Sequence, residues 1–428
     1  MQGQDDTGAA LGQRRGSPSR TPARVVLATG LLFGLAYLAR AVLVRPGTVA
    51  LNFQVYHGAA EAFLAGKPLY GRSPVGVSWL VYLYPPLSIL AFVPFTLFPL
   101  GAAYALFTAL SLAGGLALSW LLVGVVERHG VELARLDRLL VAGFVTFGVH
   151  TAPTLVFGQV NLLLALAVAV AFVALAAGDE ARSGTTLALA AFVKVFPAGF
   201  GLWYLRQRSV RALGAAIATG GGLLVAGLAL GPDLTAAYVT EALLPRASRA
   251  AFEGGLDPDA AYLTVRRPLS LLFPRSSLAR SVGALAVMAP VVALGIRRVD
   301  SPRRRLVGLF VLFSGVLLAL PTYPIYYPVV YFPLVPLLYL FVGPGRTLFL
   351  AGAGLGLFTL HLNDLRRVIA ALGTPPWLHD ALLAVVTPVF TVGSPALYAL
   401  GLCLAGCLRH QLAGPPETGG DRRVSDER

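Results

Sequence analysis

The chain has 428 residues, of which 56% are apolar and 13% charged, against about 25% charged in an ordinary soluble protein. With a mean hydropathy of +0.73, a soluble enzyme, a disordered chain and a secreted disulfide scaffold are all excluded. The net charge of +14 sits mostly between apolar segments, where its partners are lipid headgroups rather than nucleic acid.

The composition predicts an all-α membrane bundle with ten to twelve transmembrane helices. Residues 1–23 read as a disordered basic cytoplasmic tail, without the cleavage site of a signal peptide. A single transmembrane domain follows over 24–408. A spanning helix needs about 20 mainly apolar residues. The candidates are 25–44, 81–99, 102–126, 139–157, 160–177, 184–205, 212–230, 278–296, 306–320, 327–342, 347–362 and 381–408. A short polar cytoplasmic tail, 409–428, ends the chain. Cys403 and Cys407, four residues apart in the last apolar run, read as small packing residues.

Arginines mark the cytoplasmic loops: Arg206, Arg208 and Arg211 in one, Arg297, Arg298 and Arg303 to Arg305 in another. Alternation then places both termini inside and three long connections (45–80, 231–277 and 363–380) outside. Segments 81–99 and 184–205 are rich in or broken by proline, and either one as a re-entrant hairpin would reverse the side on which Gly158 to Asn161 emerges.

Polar residues punctuate this pattern in a definite order. The first outer loop carries NFQVYHGAAEAFLAGKPLY, residues 52–70, an amphipathic helix suited to the outer interface and stopped by Gly66 and Pro68. Asn52 sits where an N-cap belongs, and Lys67 faces either headgroups or a cavity. YLYPPL, residues 82–87, re-enters the membrane. In FGQVNLLL, residues 157–164, Gln159 and Asn161 stand at a helix mouth, either capping it or lining a polar cavity. Lys194 lies deep in AFVKVFPAGF, where a charge costs roughly 2.5 kcal/mol or more unless it is paired or faces water. It and Lys67 are the two lysines among 34 basic residues, which suggests places that need a compact ammonium rather than a planar fork. Arg266 and Arg267 end the largest outer loop, as phosphate binders or as snorkelling side chains. The proline-rich mouth LPTYPIYYPVVYFPLVPLLYL, residues 320–340, carries Tyr326 and Tyr327 as candidate cavity-lining rings; Tyr331 and Tyr339 read as belt anchors.

An outer helix ending in G-x-PLY, then YPPL, GQVN-LLL, K-x-x-P and a proline-rich mouth, in this order over about residues 50–340, resembles the polyprenol-phosphate-dependent glycosyltransferases of the GT-C superfamily. The resemblance is to family 87, the alpha-mannosyltransferase-like DUF2029 group. It implies a helical membrane enzyme with an outward-facing cavity. A hexose, here mannose, would pass with inversion from a polyprenyl-phosphate carrier of dolichyl or undecaprenyl type to a lipid or glycan hydroxyl. The lipid-linked sugar is a substrate; the resemblance implies no cofactor, no metal site and no nucleic-acid partner. A base is needed for the acceptor hydroxyl and fixed cations for the departing phosphate. Lys194, with Arg266 or Arg267, fits the second role, with Lys67 at the rim.

Two positions depart from the family pattern. The family aspartate at the start of the outer helix, its expected base, is Asn52 here, an amide that cannot take a proton. Tyr326 and Tyr327 stand where many members carry a histidine. The base then falls to Glu61, in the same helix but about 13 Å further along its axis, or to Asp364 in HLNDLRR. Two rival readings follow: a lipid-linked-sugar transporter or flippase, against which the lack of paired halves argues, and a carrier-binding pseudoenzyme, motivated by Asn52.

Overall fold

The structure, a computed structural model, describes residues 19–413 apart from 74–75, 78–79, 246–257 and 261. Most of the predicted N-terminal tail and the end of the C-terminal one lie outside the described residues. Among those described there is no strand; the chain is an all-α, multi-pass membrane protein.

Among the described residues, four helices are long and apolar enough to cross a bilayer alone. They are α1 (Thr21–Val44), α3 (Leu100–Arg128), α9 (Val210–Leu230) and α12 (Ser277–Gly295). Between α1 and α3 lies α2 (Leu51–Leu64), the expected outer-loop helix. The other apolar runs fold as shorter pieces, because proline, glycine or a buried polar group interrupts each of them. Run 139–157 becomes α4 (Arg135–Phe147) and α5 (Ala152–Phe157), broken at Gly148 to Thr151. Run 160–177 is α6 (Asn161–Ala176). The last run is a pair, Pro376–Val392 and Pro395–Leu412, bent by 58°, and its second helix carries on to Leu412, into the stretch read as tail.

Two runs depart from the simple span pattern, and their effects cancel. Run 81–99 does not span: Pro85, Pro86, Pro94 and Pro99 leave only the 3-10 turns Pro86–Ala91 and Val93–Leu97. Run 184–205 is not one span but the turn of a helical hairpin. Its first arm is α7 (Glu180–Val193); the second is the 3-10 turn Phe196–Gly201 followed by α8 (Leu202–Gln207). The arms return side by side, for the Ser183 and Tyr204 hydroxyls lie 2.8 Å apart. Lys194 occupies the tip.

The bundle therefore has two chemically distinct ends. At one, Arg24 pairs with the buried Asp137 (2.8 Å), Arg206 donates to the carbonyls of Ile296 and Arg297, and Arg346 donates to the Ser19 carbonyl. At the other, the Ala50 amide donates to the Val156 carbonyl (2.7 Å). Gly158 to Asn161 thus emerges beside α2. The core between the ends is built around α13 (Pro302–Ala319) and the proline-bearing helix α14 (Tyr331–Leu340), with Phe310, Phe313, Tyr331 and Phe341 fully enclosed. Cys403 and Cys407 are buried, unbridged packing residues.

Candidate functional site

Lys194 cannot stay helical in register: after Val193 its backbone turns extended, and Pro197 begins the return arm. That break lifts its ammonium off the hairpin and towards the start of α6. Nζ donates to Asn161 Oδ1 at 2.6 Å and to Gln159 Oε1 at 3.3 Å. It also lies 4.1 Å from the centre of the Tyr326 ring. Two hydrogen bonds to a charged donor are worth about 1.5–3 kcal/mol each, and a desolvated cation–π contact about 2 kcal/mol. Together these offset part of a desolvation penalty of several kcal/mol. No carboxylate lies within ion-pair distance of Lys194 among the described residues. Its positive charge is solvated by the protein but not neutralised.

The amides are held in turn. Asn161 is fully buried and donates its Nδ2 to the Ile325 carbonyl (2.9 Å), which aims Oδ1 at the ammonium. Gln159 Oε1 also accepts from the Tyr56 hydroxyl (3.1 Å), and Tyr56 shares a 2.8 Å hydrogen bond with Tyr84. Burial, and then the adjacent Tyr84 phenol, push ionisation of Tyr56 well above the usual phenol range, so it remains a neutral donor. Tyr70 donates to the Tyr84 carbonyl at 2.8 Å. Gly158, at φ +69°, makes the approach of α2 possible: a Cβ there would stand 2.6 Å from Phe53 Cβ.

Lys194, Tyr84, Tyr238 and Tyr326 open with apolar neighbours, Leu83, Val195 and Phe196 among them, onto a cleft of about 220 Å³. Pockets that swallow a drug-sized ligand run to roughly 300–1,000 Å³. This one suits the polar head of a ligand rather than a whole lipid. A fixed cation, phenol hydroxyls and apolar walls can hold an anionic group joined to a hydrocarbon chain.

The structure gathers part of the predicted set. Gln159, Asn161, Lys194 and Tyr326 converge. Tyr327 does not join them: it is enclosed and stacks on His150, ring centres 3.9 Å apart, within the core. Arg267 is no free phosphate binder. It is 1% exposed and donates to the carbonyls of Pro258, Ala260, Phe390 and Thr391, clamping the end of the outer loop to the bend before the last helix. Arg266, at the start of α11 (Arg266–Leu272), is half-buried, with Nε on the Ala319 carbonyl at 3.0 Å. Lys67 is exposed in the turn after α2, outside the cluster. Asn52 is not the N-cap of α2; Ala50, at φ 65°, is, and Asn52 stands within the first turn, one turn before Tyr56. Glu61 is 61% exposed, its Oε1 3.5 Å from His57 Nδ1. Asp364 closes a capping box with His361 at the start of Leu362–Ala371. Neither carboxylate contacts the Lys194 cluster.

Tyr56, Tyr84 and Tyr238 join the candidate site although the sequence did not single them out. Tyr56 lies on the apolar face of the outer helix and Tyr84 in YLYPPL, and their hydroxyls meet only in the folded protein.

Comparison with known proteins follows this geometry closely. The profile of glycosyltransferase family 87 matches residues 82–321, more than half of the chain, and takes in Tyr84, Gln159, Asn161 and Lys194. Over 184 residues the chain is 30% identical to a polyprenol-phosphate-mannose-dependent alpha-(1-2)-phosphatidylinositol mannoside mannosyltransferase of Mycobacterium tuberculosis, covering 40% of this chain and 42% of that protein. Over 194 residues it is 31% identical to a polyprenol-phosphate-mannose-dependent alpha-(1-2)-phosphatidylinositol pentamannoside mannosyltransferase of Mycolicibacterium smegmatis, covering 43% and 44%. The matched stretch thus spans less than half the length of these relatives. No solved structure matches the chain.

Proposed function

The chain belongs to glycosyltransferase family 87, and from that premise we propose that it transfers a hexose, mannose, from a polyprenyl-phosphate carrier to a hydroxyl of a lipid or glycan acceptor. The supporting observation is the ammonium of Lys194, held by two amide oxygens, matched by no carboxylate, and set in a cleft with apolar walls. In transfer, negative charge grows on the phosphate oxygen as the bond to the sugar C1 breaks. A cation already fixed there stabilises that charge without reorganisation. Displacement takes place in line, so the anomeric centre inverts.

The cleft faces outward. The Arg206 and Arg297 loops meet at the end opposite Lys194, and arginine-rich short loops stay in the cytoplasm. Ser19 and Ala413, the outermost described residues, lie on that cytoplasmic side. The acceptor is a lipid of the phosphatidylinositol mannoside type, by analogy with the relatives' names.

The test is transfer by the purified protein in lipid nanodiscs, with radiolabelled undecaprenyl-phosphate mannose as donor and phosphatidylinositol mannoside as acceptor. Labelled acceptor appearing with free undecaprenyl phosphate supports the assignment. Donor that binds but never turns over identifies a carrier-binding protein instead, and movement of intact donor across the bilayer a flippase.

A further inference from the structure

The transfer chemistry needs a proton acceptor that Asn52 cannot be, and among the described residues no carboxylate lines the cleft. Resting on the transferase reading, we propose that Glu241 is the general base for the acceptor hydroxyl. Three of the six residues in its turn, Tyr238, Ala242 and Leu243, line the cleft together with Lys194. That turn, Tyr238–Leu243, is a π-helical one, a wide form found mostly at functional sites. It follows the short helix α10 (Pro232–Ala237) directly.

Glu241 reaches from this turn to the corner after the outer helix. Its Oε2 lies where a Cβ on Gly71 would be only 2.8 Å away, and Gly71 has φ +73°. The corner is tied to the phenol network on the same side: the Tyr70 and Tyr238 rings are 5.8 Å apart, and Tyr70 donates to the Tyr84 carbonyl. The carboxylate is exposed to solvent and stands beside the wall formed by 238–243, while residues 193–196 form another wall. Among the described residues it has no hydrogen bond or ion pair. Three other acids near this end are engaged or lie apart from the cleft. Asp259 pairs with Arg366 (2.8 Å), Asp364 caps its helix, and Glu61 faces solvent beside His57.

The step balances. Glu241 takes the proton of the acceptor hydroxyl as that oxygen forms its bond to C1 of the sugar. The bond between C1 and the phosphate oxygen breaks on the opposite face, and its electron pair leaves with the polyprenyl phosphate beside Lys194. Base and cation on separate walls suit an inverting displacement.

Glu241→Gln in the full-length protein, assayed with undecaprenyl-phosphate mannose and phosphatidylinositol mannoside, tests this. General-base removal lowers kcat by about 10²–10⁴-fold. The donor Kd should stay within twofold of wild type, and Glu241→Asp should recover part of the rate. A glutamine variant that keeps kcat within threefold, or that loses donor binding along with turnover, overturns the assignment. Failure of the wild-type protein to transfer at all would overturn the transferase reading itself, so the two failures are separable.

Discussion

Replacing Lys194 by methionine, which keeps an unbranched apolar stem, removes the charge and nothing else of comparable size. Its ammonium makes two hydrogen bonds and one ring contact in the unliganded protein. A bound phosphate would meet it as a charge-assisted donor. One such bond is worth about 1.5–3 kcal/mol, and Coulomb attraction at 4 Å has an upper range of about 4 kcal/mol at an effective dielectric of 20. The donor Kd should therefore rise by roughly 10- to 200-fold, since each 1.4 kcal/mol is a factor of ten. The fold should survive, because removing a partly buried charge also removes its desolvation cost. Lys194→Arg should not restore affinity, because a planar guanidinium does not fit where a compact ammonium sits 2.6 Å from Asn161. Donor titration in nanodiscs, with a thermal melt of the same samples, reads both effects. An unchanged Kd in the methionine variant, or wild-type affinity in the arginine variant, refutes the placement of the phosphate at Lys194.

Other substitutions separate the site from its scaffold. Gly158→Ala forces a left-handed backbone on alanine and drives a methyl into Phe53; it should lower stability by about 1–3 kcal/mol and reduce donor binding through displacement of α2, read by melt and titration together. Arg267→Met strands four carbonyl oxygens at about 1–3 kcal/mol for each one left buried. It should destabilise the protein in thermal denaturation yet leave the donor Kd of the folded fraction unchanged; a selective loss of donor affinity would return Arg267 to the site. Glu61→Gln, at an exposed position, should leave turnover within about threefold of wild type, and abolished transfer would restore Glu61 as the base.

The residue sequence alone determined the all-helical membrane class, the outer-loop helix, and the polar positions Gln159, Asn161 and Lys194. Each of these depends on contrast with immediate neighbours: a run of some 20 apolar residues, or a single charge inside one. Tertiary structure decided whether an apolar run crosses or turns back. By hydropathy alone run 81–99 and run 184–205 pass as spans, although proline breaks both. In the second, the extended backbone at Lys194 and Pro197 turn the chain back, and the tip meets Asn161 and Gln159 across more than thirty residues of sequence.

The same long-range dependence explains the misplaced site residues. Arg267 looks like a phosphate binder until four carbonyls from two separate segments take its donors. Tyr326 and Tyr327 are adjacent in sequence, but the 3-10 turn Pro324–Val330 sends one ring to the ammonium and the other onto His150. Glu241 left a faint trace, a lone carboxylate in the stretch TAAYVTEALLP, and only the folded turn brings it beside the cleft wall. Local hydropathy fixes which segments leave water. The partner that a buried polar group meets is set by packing between distant segments, because burial of a charge or an amide is tolerated only where the whole fold supplies its hydrogen bonds.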